Sequence, residues 1–359
     1  MKIVLCFDSF KGSCTAREAC QAAAEGIRTI RPDAEILLRP MADGGEGTAD
    51  ILRTALGGDW IPRTVAGPLP GMTVSSVFAW IAKTQIAVVE MASASGLTLI
   101  PPEKRNPLIA TTYGTGELIR AAAEKGAKRI LLTVGGSATV DGGVGAAEAL
   151  GWTFPPDGSI RPPKDLALPP IDVLCDVTNP LCGPSGAARV YGPQKGATPA
   201  MVEELESRLW NLSERIFQSL EKEVRDLPGA GAAGGLAAGA VAFMNATIVR
   251  GIDAVMSAAG LAEALHGADW ALTGEGSFDA QSLQGKVVDG VARLAAQAGA
   301  KTAVLAGRLG LTESEWRTAG ITYAAAIRPE TISVEDSMRH ASELLAKAAR
   351  MFARGAGSK

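Results

Sequence analysis

The chain reads as an α/β protein of two domains. Three features of the sequence point there. Short apolar runs alternate with amphipathic helix patterns over the first sixty or so residues, the same rhythm returns after residue 267, and a proline-broken stretch of different character lies between. Alternating strands and helices favour a parallel sheet, because each crossover helix covers a sheet face.

Residues 2–7 form an apolar run of the length and composition of a buried strand. Thr15 followed by Glu18 has the spacing of a capping box, opening a helix to about Ile30. A second strand is expected over 35–39 and a second helix over 46–56. Pro68, Pro70 and Gly71 then break the rhythm, and 74–80 with 85–89 read as an antiparallel pair turning at Lys83-Thr84. Alternation resumes with a helix near 116–124, a strand over 129–134 and a helix over 142–150. A connection carrying Pro155, Pro156, Pro162, Pro163, Pro169 and Pro170 leads to a strand over 172–175, then to a long amphipathic helix over 199–225. Strands over 270–273 and 302–305 enclose a helix over 285–297, with a strand over 322–327 and a closing helix over 334–353. The simplest organisation is a discontinuous outer α/β domain from both termini, 1–62 and 268–359, interrupted by a central α/β domain, 63–267. The active site is expected in the cleft between them.

With 359 residues the chain can build two cores, and 47% apolar against 20% charged residues is a globular composition. A net charge of −3 without a Lys/Arg run gives no bulk attraction to nucleic acid or acidic membranes. The cysteines Cys6, Cys14, Cys20, Cys175 and Cys182 form no CxxC pair, as in a reducing compartment. His266 and His340 are the only histidines, which excludes a multi-histidine metal site, and His266 before Gly267 reads as a helix end. The uncharged stretch 228–249 is rich in Gly and Ala and reads as a buried helix rather than a membrane span. The N-terminal apolar run is too short for a signal peptide, so a cytoplasmic protein is expected.

Chemistry is concentrated in glycine-rich loops. Asp8-Ser9-Phe10-Lys11-Gly12 follows the first strand, where open α/β sheets bind ligands. Asp43-Gly44-Gly45-Glu46 admits two readings: a capping box, or a glycine pair approached closely by a ligand, since glycine in a first turn costs about 0.5–1 kcal/mol relative to alanine. Gly135-Gly136-Ser137-Ala138-Thr139-Val140-Asp141-Gly142-Gly143 offers backbone N–H groups, hydroxyls and an acid between a strand and a helix. Asp176 is either a general base or the acid of an Asx-turn before Pro180. Lys195 sits in a tight glycine turn, where an isolated lysine is more often solvated than functional. Gly229-Ala230-Gly231-Ala232-Ala233-Gly234 matches GxGxxG, but no strand precedes it, so the dinucleotide reading is rejected and the loop is kept as an anion contact. No GxxxxGK[ST] occurs. Glu275 and Asp279 could serve Mg²⁺, which takes one or two carboxylates plus substrate oxygens. Lys286 opens a helix against its dipole, a position explained if it meets phosphate.

In order along the chain, these loops together with Arg105-Asn106-Pro107-Leu108, Tyr113-Gly114-Thr115-Gly116-Glu117-Leu118, Cys175-Asp176-Val177-Thr178-Asn179-Pro180-Leu181 and Gly192-Pro193-Gln194-Lys195-Gly196-Ala197 resemble the type 1 glycerate kinase family. The resemblance implies ATP-dependent phosphorylation of D-glycerate with Mg²⁺, on a Rossmann-like outer domain carrying an inserted flavodoxin-like domain. The expected catalytic groups are Asp176, or alternatively Asp43, with Lys11. The expected substrate or nucleotide contacts are Asp8, Ser9, Gly44, Gly45, Asn106, Gly135, Gly136, Ser137, Thr139, Asn179, Lys195, Gly231, Gly234 and Lys286. Glu46, Glu275 and Asp279 are the expected metal or water orienters. Val140 stands where the family often has Asn, and Ser277 where many members have Arg. The preferred product is 2-phosphoglycerate, with 3-phosphoglycerate the alternative. A non-catalytic glycerate sensor and a nicotinamide-dependent hydroxyacid dehydrogenase are more distant readings.

Overall fold

A computed structural model describes residues 1–10, 12–42, 44–45, 47–165, 167–283 and 285–356. The chain divides into two compact units, one from Met1–Asp43 with Val255–Lys359 and the other from Gly44–Ala254. The sequence reading placed the divisions later, at 62/63 and 267/268. The segment 44–62 belongs with the central unit because strand Asp59–Ala66 pairs along its whole length with Thr73–Ile81, and the Ala49 N–H donates to the Glu90 carboxylate at 2.9 Å.

The terminal unit is built on a five-stranded sheet in the order Ile321–Ala326, Lys301–Ala306, Trp270–Thr273, Lys2–Leu5, Glu35–Leu38, every pair parallel. Alternation along Lys301–Ala306 sends Ala303 and Leu305 into one core, with helices Ala16–Arg28 and Ala341–Gly355. It sends Val304 and Ala306 into another, with helix Val287–Gln297. Thr15 and Glu18 form the capping box that the spacing predicts. The closing helix expected over 334–353 is two helices, Val334–Arg339 and Ala341–Gly355, broken at His340. His266 caps the helix Leu261–Leu265, and its carbonyl accepts from the Lys2 ammonium at 2.7 Å.

The central unit holds a six-stranded mixed sheet in the order Asp59–Ala66, Thr73–Ile81, Ile86–Glu90, Arg129–Thr133, Ile171–Leu174, Thr247–Val249. The first three strands are antiparallel and the rest run parallel. Asp59–Ala66 escapes the period-two test because most of its side chains are exposed, and as the edge strand it tolerates Pro62. The long helix, Pro199–Leu220, stops short of 225 because Glu221 turns left-handed at φ 54°. Within 228–249 lie a buried helix, Leu236–Met244, and the short strand Thr247–Val249. Among the described residues no helix is long and apolar enough to cross a membrane.

Helices Ala16–Arg28 and Ala341–Gly355 meet with almost no separation at Gly26, where a Cβ atom would stand 2.1 Å from the Ala346 carbonyl oxygen. Helix propensity favours alanine over glycine by about 1 kcal/mol, but overpacking costs about 1–3 kcal/mol. The clash is with backbone, which cannot rotate away, so Gly26→Ala is expected to destabilise the protein. A urea-unfolding midpoint at or above the wild-type value would contradict this packing.

Candidate active site

Parallel pairing places every loop that follows a strand on one edge of the sheet. In the terminal unit the strand Lys2–Leu5 leads through helix Ala16–Arg28 to Glu35–Leu38 on one side, and Trp270–Thr273 leads through Val287–Gln297 to Lys301–Ala306 on the other. Strand order therefore reverses between Lys2–Leu5 and Trp270–Thr273, the kind of switch point where open sheets bind ligands. The loops there are tied together: the Asp8 N–H donates to the Gly274 carbonyl at 3.0 Å, and the N–H groups of Gly307 and Arg308 donate to the carbonyls of Glu275 and Gly276 at 3.0 and 3.1 Å.

A cavity of about 640 Å³ opens at this edge. Of the residues expected from sequence it gathers Asp8, Ser9, Glu275, Asp279 and Lys286. Arg308, Arg328, Ile327, Val334 and Met338 also line it and were not anticipated. Arg308 and Arg328 follow strands that were legible in the sequence, so the carboxyl-end rule applied to every strand would have found them. Val334 and Met338 carried no such signal. Ser277 lines the cavity too, and its partner across the short parallel pair Ser277–Phe278 with Arg308–Leu309 is Arg308, so a guanidinium remains beside the position where family members often carry one.

Asp279 turns its carboxylate inward on its own turn, accepting from the Gln281 N–H at 3.0 Å and the Ser277 hydroxyl at 3.3 Å. Among the described residues no three His, Cys, Asp or Glu side chains gather as a metal cluster. Asp8 and Glu275, on adjacent strand ends, are hard oxygen donors of the number that Mg²⁺ takes when a phosphate supplies its other ligands. The donor chemistry fits that ion.

The central unit repeats the logic at the carboxyl edge of its parallel strands. Lys195 ends the turn Pro193–Lys195 and is 1% exposed, the reverse of the solvated lysine expected there. Its ammonium donates to the Ser137 hydroxyl and the Thr139 carbonyl, both at 2.7 Å, so it pins the turn that Gly135 and Gly136 open. Asp141 anchors the far end of that loop, accepting from the Thr112 N–H and hydroxyl at 2.8 Å and from the N–H groups of Gly143 and Gly145 at 3.1 and 3.2 Å. Burial pushes the Asp141 carboxyl up, against the pull of these hydrogen bonds. Burial likewise lowers Lys195 to about 7, with the Asp141 charge opposing.

The 229–235 loop packs directly on this one. A Cβ at Gly234 would stand 1.9 Å from the Thr139 carbonyl oxygen, and the Gly231 N–H donates to the Asn179 carbonyl at 3.0 Å. Those glycines serve backbone-on-backbone contact. Asn179 holds its own loop, accepting from the Tyr191 hydroxyl at 2.7 Å and donating to the Ser185 carbonyl at 2.8 Å. Asp176 is exposed and accepts from the Gly251 N–H at 3.0 Å. Asn106 accepts from the Leu108 N–H at 3.1 Å within a local turn. Val140, the other departure from the family pattern, is buried in the apolar core.

Lys11, Asp43 and Glu46 lie outside the described residues. The helix after them, Thr48–Leu56, is capped by left-handed Gly47 with no side-chain hydrogen bond, and the capping box considered for Asp43 and Glu46 falls outside the described residues. Gly44 has a packing reason: a Cβ there would stand 2.5 Å from the Gly251 Cα. The Gly45 carbonyl accepts from the Thr48 hydroxyl at 2.7 Å.

Residues 3–164 and 159–356 match the profile of the Glycerate kinase family. A glycerate kinase of Halalkalibacterium halodurans is 42% identical, with 98% of this chain and 97% of that protein covered. A glycerate 2-kinase of Escherichia coli K12 is 40% identical over the same shares. A crystal structure from Salmonella typhimurium LT2, carrying the provisional name glycerate kinase 2, superposes with a TM-score of 0.88 at 39% identity, covering 99% of this chain and 98% of that one.

The depressed lysine has a consequence for stability. An unfolded lysine titrates near 10.4, whereas Lys195 in the folded protein titrates at about 7. Between those values the unfolded chain binds more protons, so this residue's contribution to stability rises with pH across the window. Urea midpoints measured from pH 7 to about 10 should therefore climb more steeply in the wild type than in Lys195→Met. Parallel curves would contradict the burial.

Proposed function

The chain belongs to the glycerate kinase family, and from that premise we propose that it transfers the γ-phosphoryl group of ATP to D-glycerate, releasing ADP and 2-phosphoglycerate. Family membership makes it a phosphotransferase with an alcohol acceptor. The observation that most supports the finer reading is the buried Lys195 beneath a hydroxyl-bearing turn, an arrangement suited to a small carboxylate. Phosphoryl transfer needs positioning and charge neutralisation more than covalent chemistry by the protein, and this chain is rich in both.

In this proposal the Ser137–Thr139 turn receives the glycerate carboxylate, and Lys195 acts from behind it by holding the turn, the bound anion favouring its protonated form. Asp176, exposed at the end of the neighbouring strand, accepts the proton of the attacking hydroxyl, with Asp43 the second choice. Lys286, with Lys11, neutralises phosphate oxygens. Mg²⁺, held by carboxylates from Asp8 and Glu275, would supply charge neutralisation for the transferring phosphate. The glycerate 2-kinase name of the Escherichia coli relative supports 2-phosphoglycerate over 3-phosphoglycerate.

Glycerate-dependent ADP release measured by a coupled assay tests the reaction, and phosphorus NMR of the product tests the position. ADP release with 2-phosphoglycerate is expected; no glycerate dependence, or 3-phosphoglycerate, would contradict the reading. Loss of a general base costs about 10²–10⁴ in rate. Asp176→Asn should therefore lower kcat by at least about 10²-fold with the KM for ATP little changed, and near-normal turnover would remove Asp176 from that role.

A further inference from the structure

We propose that the nucleotide binds in the terminal unit, in the cavity at the sheet's switch point, with its base against Val334 and Met338 of helix Val334–Arg339 and its phosphates toward Lys286 and Arg308. This rests on the kinase reading and assigns one of its two substrates to a place.

Size is the first reason. A cavity of about 640 Å³ lies within the range of about 300–1,000 Å³ that takes drug-sized ligands, and a three-carbon acid would leave most of it empty. Division of chemistry is the second. Val334 and Met338 stand one helical turn apart on the same face, 60% and 38% exposed at the cavity, beside buried Phe10 and Ile327. Such an exposed apolar pair next to a polar cleft suits the flat face of a purine. The cations come from other elements: Lys286 begins the helix Val287–Gln297, and Arg308 and Arg328 follow the strands Lys301–Ala306 and Ile321–Ala326. Asp8, Glu275 and Asp279 face the same space, which matches a polyphosphate carrying a divalent cation better than a bare carboxylate.

The helix carrying Val334 and Met338 is fixed to the loop after the first strand. The Ser13 hydroxyl donates to the Met338 carbonyl at 2.7 Å, and the Met338 methyl would stand 3.0 Å from a Cβ at Gly12. The base wall and the switch-point loop therefore form one continuous surface. In the central unit, by contrast, the cation beneath the Ser137–Thr139 turn is the buried Lys195, on a scale suited to the acid.

The test compares Val334→Asp, Met338→Glu and a control, Met351→Glu, which changes a methionine 61% exposed on helix Ala341–Gly355 that does not line the cavity. All three sites are exposed, so folding should survive. Steady-state KM values for ATP and glycerate and titration with trinitrophenyl-ATP are the readouts. Each cavity variant should raise the KM for ATP and the Kd for trinitrophenyl-ATP about tenfold, a loss near 1.4 kcal/mol, with the KM for glycerate within about twofold and the control unchanged. A selective rise in the glycerate KM, no change in either, or an equal effect of Met351→Glu would overturn the assignment. The kinase reading fails separately, if wild-type protein shows no glycerate-dependent ADP release; trinitrophenyl-ATP binding lost only in the cavity variants would then still uphold the nucleotide site.

Discussion

Parallel strand pairing is the constraint on which the chemistry of this chain depends. In the terminal unit all five strands point the same way, so Asp8, Glu275, Arg308 and Arg328, far apart in sequence, emerge on one edge. No specific side-chain attraction is needed to collect them. The backbone ladder does so, and the reversal of strand order between Lys2–Leu5 and Trp270–Thr273 opens a crevice at the edge, because the helices that follow these strands depart to opposite sides. The parallel strands of the central unit deliver Ser137, Thr139, Asp176 and Asn179 by the same means.

Glycine governs the central loops for a reason different from the one suggested by ligand-binding turns. Gly234 lies against the Thr139 carbonyl and Gly44 against Gly251, distances that admit no side chain. Where Gly234 packs on the Thr139 carbonyl, that same carbonyl accepts from the Lys195 ammonium, whose burial depresses its affinity for protons. The ammonium in turn satisfies the Ser137 hydroxyl and the Thr139 carbonyl, so loop shape and buried charge support each other. An anion arriving at this turn would favour the protonated form of Lys195, and the attraction in a region of low polarity is stronger than in water.

Much of the fold was legible in the sequence because its signals are local. The capping box at Thr15 and Glu18, the apolar strands, and the hairpin of Thr73–Ile81 with Ile86–Glu90 each follow from a few adjacent residues. The strand Asp59–Ala66 was not legible, since an edge strand with exposed faces leaves no hydrophobic alternation to read. The sites divide the same way. Loops after recognisable strands stood out, but the burial of Lys195 depends on segments 56 and 58 residues away in sequence, and no local pattern separates it from a solvated lysine. Val334 and Met338 resemble ordinary surface positions until the fold brings them to the rim of a cavity lined by loops from across the sequence.

Hydrogen exchange of the intact protein, with a non-hydrolysable ATP analogue and with D-glycerate added separately, tests most directly the claim that each sheet edge receives one substrate. The nucleotide analogue should slow exchange in peptides covering 8–14, 274–279 and 307–310, while glycerate slows exchange over 135–143. Protection of the same single set of peptides by both ligands, or protection confined to regions away from both edges, would contradict it.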